Sequence, residues 1–123
     1  MGKRVLVVED DRHVREYVAE ALGSSGRDLE IVAKTNGREA ADELASGRFD
    51  LLLTDLNMPE VDGVELVRRT RQLYPGIPIV LMSGASADWL PLLAKEGFDD
   101  LPLLTKPVSV SQLLDLVTGI LGV

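Results

Sequence analysis

Short runs of consecutive apolar residues, without in–out alternation, recur along this chain and are separated by stretches of helical period. They fall at about 4–9, 29–34, 49–54, 78–82 and 101–105. A strand that is apolar on successive residues is covered on both faces, the pattern of a parallel sheet between helices. The spacing predicts helix one from about Arg12 to Ser24, with Val14, Val18, Ala21 and Leu22 on one face, Asp11 as N-cap and Gly26 past its end. Helix two follows Thr35-Asn36-Gly37, turns Ala40, Ala41 and Leu44 inward and stops at Gly47. Helix three begins at Asp62, with Glu65 close to capping-box spacing, a stripe of Leu66, Val67, Leu73 and Tyr74, and a stop at Pro75-Gly76. Helix five follows Ser109, with Leu113, Leu114, Val117, Ile120 and Leu121 inward. Helix four is the weak element. Pro91 suits only a first turn, so Asp88 is the expected cap of a short, mobile helix reaching about Glu96 before Gly97.

The order βαβαβαβαβα predicts an α/β fold, a parallel sheet with helices on both faces joined by right-handed crossovers. Sites in such sheets lie at the carboxyl ends of strands, where the strand order reverses. If strands one and three are neighbours there, Asp10 and Asp55 face each other across that point. A length of 123 residues suits one domain, 1–123, with one core, and a 46% hydrophobic composition suits a folded one. The net charge of −7 argues against this domain gripping nucleic acid, whose phosphates need a basic face. The absence of cysteine excludes disulfides, thiol nucleophiles and thiolate metal sites. No apolar run approaches the roughly 20 residues that cross a bilayer. Met1-Gly2-Lys3-Arg4 leads straight into the first strand without a signal-peptide pattern, so a cytoplasmic protein with no membrane partner is expected.

The chemistry-bearing residues gather at strand ends. Asp55 closes the third apolar run, Glu9-Asp10-Asp11 follow the first, Ser83 ends the fourth, and Lys106 ends the fifth just before Pro107. Like-charged carboxylates about 4 Å apart repel by about 4 kcal/mol at an effective dielectric near 20, so such a cluster calls for a positive partner. Mg²⁺ fits, since it is held by one or two carboxylates, waters and a phosphate; no His/Cys set for zinc is present. Taken alone, Glu9-Asp10-Asp11 reads equally as a solvated loop with a helix cap, and Ser83 as a turn serine. Together with Asp55 and Lys106 they make a phosphoryl-transfer site. Asp55 is a carboxylate nucleophile able to form an aspartyl-phosphate, Lys106 a point charge for the transferred oxygens, and Ser83 a hydroxyl donor to them.

Five pieces in this order carry a family resemblance over essentially the whole chain. They are Val7-Val8-Glu9-Asp10-Asp11, Asn36-Gly37-Arg38-Glu39-Ala40, the stretch from Phe49 through Asp55-Leu56-Asn57-Met58-Pro59-Glu60-Val61-Asp62 to Gly63, Ser83-Gly84-Ala85, and Lys106-Pro107. The chain resembles the receiver domain of two-component response regulators, the CheY-like superfamily. The resemblance implies a (βα)₅, doubly wound, flavodoxin-like three-layer sandwich with strand order 2-1-3-4-5. It implies that Asp55 accepts a phosphoryl group from a phosphohistidine on a sensor histidine kinase or histidine phosphotransfer protein. Mg²⁺ is then held by Asp10 directly, Glu9 through water, Asp55 and the backbone carbonyl of Asn57. Lys106 binds the phosphoryl oxygens, Ser83 moves toward them, and the peptide before Pro107 is often cis. Such a domain is a signalling module, catalysing only its own phosphorylation and dephosphorylation while switching partner interactions. A phosphorylation-dependent dimer is a further outcome the resemblance allows.

The chain also departs from the family pattern. Leu103 stands three residues before the lysine, where Tyr or Phe is frequent, and Val108 stands where Phe is frequent. Leu101-Pro102-Leu103-Leu104 lengthens the run from Gly97 to Lys106. The output face of helix four, strand five and helix five is thus unusual beside an ordinary active site, as is often so in receivers attached to hybrid histidine kinases. Phosphorylation is therefore expected to reorganise mainly the loop after Ser83 and helix four, with Trp89, read as a packing residue, as a fluorescent reporter. Asn57 and Ala85 flank the expected phosphoryl site; both are uncharged and Ala85 is small, so water should reach the acyl phosphate and limit its lifetime to minutes. His13 reads as a surface residue near the kinase-docking face. The competing reading is a Mg²⁺-dependent aspartyl-nucleophile phosphohydrolase, but such enzymes carry a second Asp two residues after the nucleophile, where this chain has Asn57. A nucleotide-binding α/β protein would need a glycine-rich phosphate loop, which Glu9-Asp10-Asp11-Arg12 is not. Retention of Asp10, Asp55, Ser83 and Lys106 argues against a receiver that only binds partners. The chain ends one helix after Lys106, which suits a free-standing regulator, the end of a hybrid kinase or a module of a larger protein, without an output domain.

Overall fold

The computed structural model describes residues 2–58, 62–84 and 86–123. The expectations that fall on Pro59, Glu60, Val61 and Ala85 lie outside the described residues. Strands β1 (Lys3–Val8), β2 (Leu29–Lys34), β3 (Leu51–Asp55), β4 (Ile79–Ser83) and β5 (Leu103–Thr105) alternate with helices α1 (Arg12–Gly23), α2 (Gly37–Ser46), α3 (Gly63–Leu73), α4 (Ser86–Glu96) and α5 (Val110–Leu121). The strands form one parallel sheet in the order β2-β1-β3-β4-β5.

The sheet separates two apolar layers, and successive strand residues feed them in turn. Leu6, Val8 and Leu52 face the layer closed by Ala40 and Leu44 of α2, Leu66 and Val67 of α3, and Leu93 of α4. Val5, Val7, Leu51 and Leu53 face the layer closed by Val18 and Leu22 of α1 and Leu113 and Val117 of α5. The central strands β3 and β4 are buried throughout, as their unbroken apolar sequences require.

Local chemistry sets the element ends. Asp11, Asn36, Asp62 and Ser109 cap α1, α2, α3 and α5, each accepting from amides of the first turn. β5 starts at Leu103 rather than near residue 101 because Pro102 has no amide; it joins the ladder only through its carbonyl, which accepts from the Leu81 amide at 2.9 Å. β3 starts at Leu51; just before it the Asp50 amide donates to Arg4 O and the Asp50 carboxylate accepts from the Arg4 amide, both at 2.8 Å.

Two expectations for the helices are also corrected. Helix four spans eleven residues from Ser86, so Asp88 lies in its first turn instead of capping it, and Pro91 sits inside the helix. The missing amide of Pro91 takes the donor from Ala87's carbonyl, a loss offset by tertiary anchoring at the far end. There Gly97 takes a left-handed conformation (φ +78°). Gly97 N–H donates to Ala94 O at 3.1 Å and Phe98 N–H to Leu93 O at 2.8 Å, with Leu93 and Phe98 both buried. This is a Schellman closure with its apolar contact. The second correction is Leu73, which is 67% exposed: it lies at the last residue of α3, beyond the reach of the sheet.

Candidate functional site

β1 and β3 are neighbours at the point where the strand order reverses, and their register ends at the pair Val8–Thr54. One residue further along each strand stand Glu9 and Asp55. Glu9 is fully buried and Asp55 nearly so, while Asp10 is exposed at the rim. Glu9 thus lies beside Asp55 inside the notch, and Asp10 meets them from the rim. Carboxylate oxygens of Glu9, Asp10 and Asp55 nonetheless all fall within 4.8 Å of one another. From the other side, β4 and β5 pair Ser83 with Thr105, and the Lys106 amide donates to Ser83 O at 2.9 Å. That bond delivers the Lys106 side chain into the notch, where Nζ lies 2.5 Å from Glu9 Oε1 and 3.2 Å from Asp55 Oδ2. Ser83, buried, and Gly84, Asn57, Val14 and Trp89 complete the walls of an open cleft over these groups. The Asn57 amide lies 3.4 Å from Asp55 Oδ1. The Lys106–Pro107 peptide is cis.

Burial governs the electrostatics. It pushes the Glu9 carboxyl up to about 7, against the pull of Lys106 and the Asp11 amide, and the Asp55 charge adds to the rise. Burial pulls Lys106 down, but the contact with Glu9 and the charges of Asp55 and Glu9 outweigh it, leaving the amine above its ordinary value. Glu9 Oε2 accepts from the Asp11 amide at 3.1 Å. Oε1 is buried and lies against the Lys106 ammonium. Three carboxylates converging within 4.8 Å, an all-oxygen set, fit a hard divalent cation such as Mg²⁺.

The sequence model of the response regulator receiver domain matches residues 5–118. The chain belongs to this family. It is a receiver domain of two-component signalling, a signalling module rather than a true enzyme. It is 39% identical over 115 residues to a response regulator receiver protein of Anaeromyxobacter sp., covering 93% of this chain and 47% of that one. It is 38% identical to the response regulator FleR of Pseudomonas aeruginosa, of whose length it spans 24%. With CpdR of Brucella abortus it shares 33% identity, over 97% of each chain. Among solved structures, TrrA of Thermotoga maritima, in complex with Mg²⁺-BeF, superposes with a TM-score of 0.83 at 30% identity, over 96% of this chain and 98% of that one. A signal receiver domain from Pseudomonas fluorescens gives a TM-score of 0.88 at 24% identity, covering 99% and 96%, which speaks for the fold alone. Receiver domains bind Mg²⁺ and take their phosphoryl group through a histidine kinase. Among the described residues, no helix is long and apolar enough to cross a membrane.

In this receiver domain the residues singled out by sequence, Glu9, Asp10, Asp55, Asn57, Ser83 and Lys106, line one cleft. Trp89 is half-buried, packing against the α2–α3–α4 layer and touching the same cleft. Leu103 is half-buried in the same layer, opposite Leu81. His13 is exposed, beside a groove between α1 and Pro107. Two further contributors support the site, Gly63 at the end of the Phe49–Gly63 piece and Arg15, which lies in no motif. Gly63 N–H donates to Leu56 O at 3.1 Å, and a Cβ there would collide with Asp55 O and stand 2.5 Å from Leu56 Cα. Arg15, in the first turn of α1, reaches back to the carbonyls of the β1–α1 turn. Only its spacing from Asp11, one helical turn, could have hinted at this.

Proposed function

We propose that Asp55 is the phosphoacceptor of this receiver domain. An Asp55 carboxylate oxygen attacks the phosphorus of a phosphohistidine; the new P–O bond forms as the P–N bond breaks, and the imidazole leaves. The observation that carries this reading is the placement of the Asp55 carboxylate against Lys106 at 3.2 Å, in an open cleft shared with two further carboxylates. Lys106 neutralises charge on the transferred oxygens, and Ser83, at the end of β4, offers its hydroxyl to them. Asp10, Asp55 and the Asn57 carbonyl would hold Mg²⁺ directly, with Glu9 acting through water, because the Glu9 oxygens already face Lys106 and the Asp11 amide. When bound, the ion offsets the repulsion between the acceptor and the incoming phosphoryl group.

The donor is a sensor histidine kinase or histidine phosphotransfer protein. Residues 1–123 form one receiver unit acting in the cytoplasm, alone or within a larger protein, with partner exchange or dimerisation as output. Incubation with acetyl phosphate and Mg²⁺ should add the mass of one phosphoryl group, and Asp55→Asn should abolish the adduct. Steady phosphate release from unrelated phosphomonoesters would favour a phosphohydrolase instead.

A further inference from the structure

The β1–α1 turn brings two of the three carboxylates to the notch, and it must hold them there against mutual repulsion. Glu9 is tied through its amide, which donates to Lys34 O at 3.0 Å, and through Oε2, which accepts from the Asp11 amide at 3.1 Å. Asp10 lies between the last residue of β1 and the first of α1, belongs to neither, and is exposed. Across this turn stands Arg15, half-buried, its own amide bonded to Asp11 O at 2.9 Å. Its Nη1 donates to Glu9 O at 3.0 Å and reaches Asp10 O at 3.4 Å. One guanidinium nitrogen thus spans consecutive peptides of the turn.

We propose that Arg15 is a positioning residue of the acidic notch: by holding the carbonyls of Glu9 and Asp10 it keeps their carboxylates converging on Asp55, and so sets the affinity of the site for a divalent cation. The inference rests on the metal-binding role assigned above to Glu9, Asp10 and Asp55. Without the tether, the turn relieves its repulsion by swinging the Asp10 carboxylate toward water. Two effects of removing Arg15 have opposite signs. Loss of its charge favours cation binding, and that benefit is screened away as salt rises. Loss of its hydrogen bonds lowers affinity, and groups that orient metal ligands from outside the coordination shell typically contribute about 10- to 100-fold. The hydrogen bonds act on the ligand residues themselves, so their loss wins.

The test is Mg²⁺ titration of the whole chain, read by Trp89 fluorescence and by calorimetry at low and high ionic strength. Arg15→Met should weaken binding at both salt concentrations, by about tenfold at high salt and less at low salt. Arg15→Lys, which keeps the charge and part of the donor set, should recover part of it. Arg15→Leu, which likewise has no donor, gives the same readout if the methionine variant does not fold. Arg12→Met, an exposed arginine paired with Glu16 on the outside of the same helix, should bind as the wild type does. Arg15→Met binding Mg²⁺ as tightly as the wild type, or more tightly, overturns the inference alone. A wild type that binds no Mg²⁺, or undiminished binding by Asp10→Asn, overturns the metal-binding reading and this inference with it.

Discussion

At the scale of single residues, Glu9 and Gly63 give the sharpest consequences. Burial raises the Glu9 carboxyl to about 7, so the folded protein holds a proton there that the unfolded chain gives up near 4.5. The stability this proton brings is complete below the unfolded value and is lost as pH rises through about 7. In metal-free buffer, Glu9→Gln, which mimics the protonated form, should therefore be more stable than the wild type above pH 7 and indistinguishable from it near pH 4. Melting curves in chelator across that range check both the sign and the window; a gap that widens toward acid would contradict it. Gly63 acts through space instead of charge. Its Cα lies so close to the chain at Asp55–Leu56 that a methyl group must displace the end of β3 or the start of α3. Gly63→Ala should destabilise the fold by about 1–3 kcal/mol, and should slow acetyl phosphate labelling beyond what the lost stability explains, since Asp55 moves with its strand.

At the scale of elements, the strands and four of the helices were legible because their signals are local. Apolar runs stop at charged residues, and Asp11, Asn36, Asp62 and Ser109 are cap residues wherever they fall in such a pattern. Helix α4 was misread because its support is not local. Pro91 argues for a late start, but Arg68 of α3 holds Glu96 at 2.9 Å, Arg71 holds Asp100 at 3.0 Å, and Gly97–Phe98 close its end against the core. None of these pairings is visible in a window of sequence around residue 91. The same asymmetry sets what phosphorylation should move. One end of α4 is pinned to α3, while the other follows Gly84 at the mouth of the cleft and carries Trp89 on its wall. Binding of a phosphoryl mimic should accordingly shift amide resonances at 84–90 strongly and those at 94–97 weakly. Arg68→Ala should spread the perturbation along the whole helix. Equal shifts at both ends in the wild type would show that the pin does not hold.

At the scale of the whole molecule, the strand order turns separate sequence motifs into one site. Residues 9, 55, 83 and 106 are each legible as the end of an apolar run; only the crossover from β1 to β3 makes them neighbours. The tethering role of Arg15 stayed invisible, and Gly63 was visible as part of a motif but not for its close packing, because both act through backbone atoms, which every residue has. The price of this convergence falls on a chain of net charge −7, with three carboxylates gathered at one point. A cation bound there stabilises the fold by mass action, about 2.7 kcal/mol at a hundredfold excess over its dissociation constant. For a domain of this size that is a rise in melting temperature on the order of 5–10 °C. Bulk screening by salt would also raise it, and a control separates the two. NaCl at matched ionic strength should give a much smaller rise than Mg²⁺, and Asp10→Asn should lose most of the difference. Asp42→Asn, the same change in charge on the exposed side of α2, should keep it. If the two salts proved equivalent, or the two variants behaved alike, the stabilisation would belong to the overall charge of the protein and not to the acidic notch.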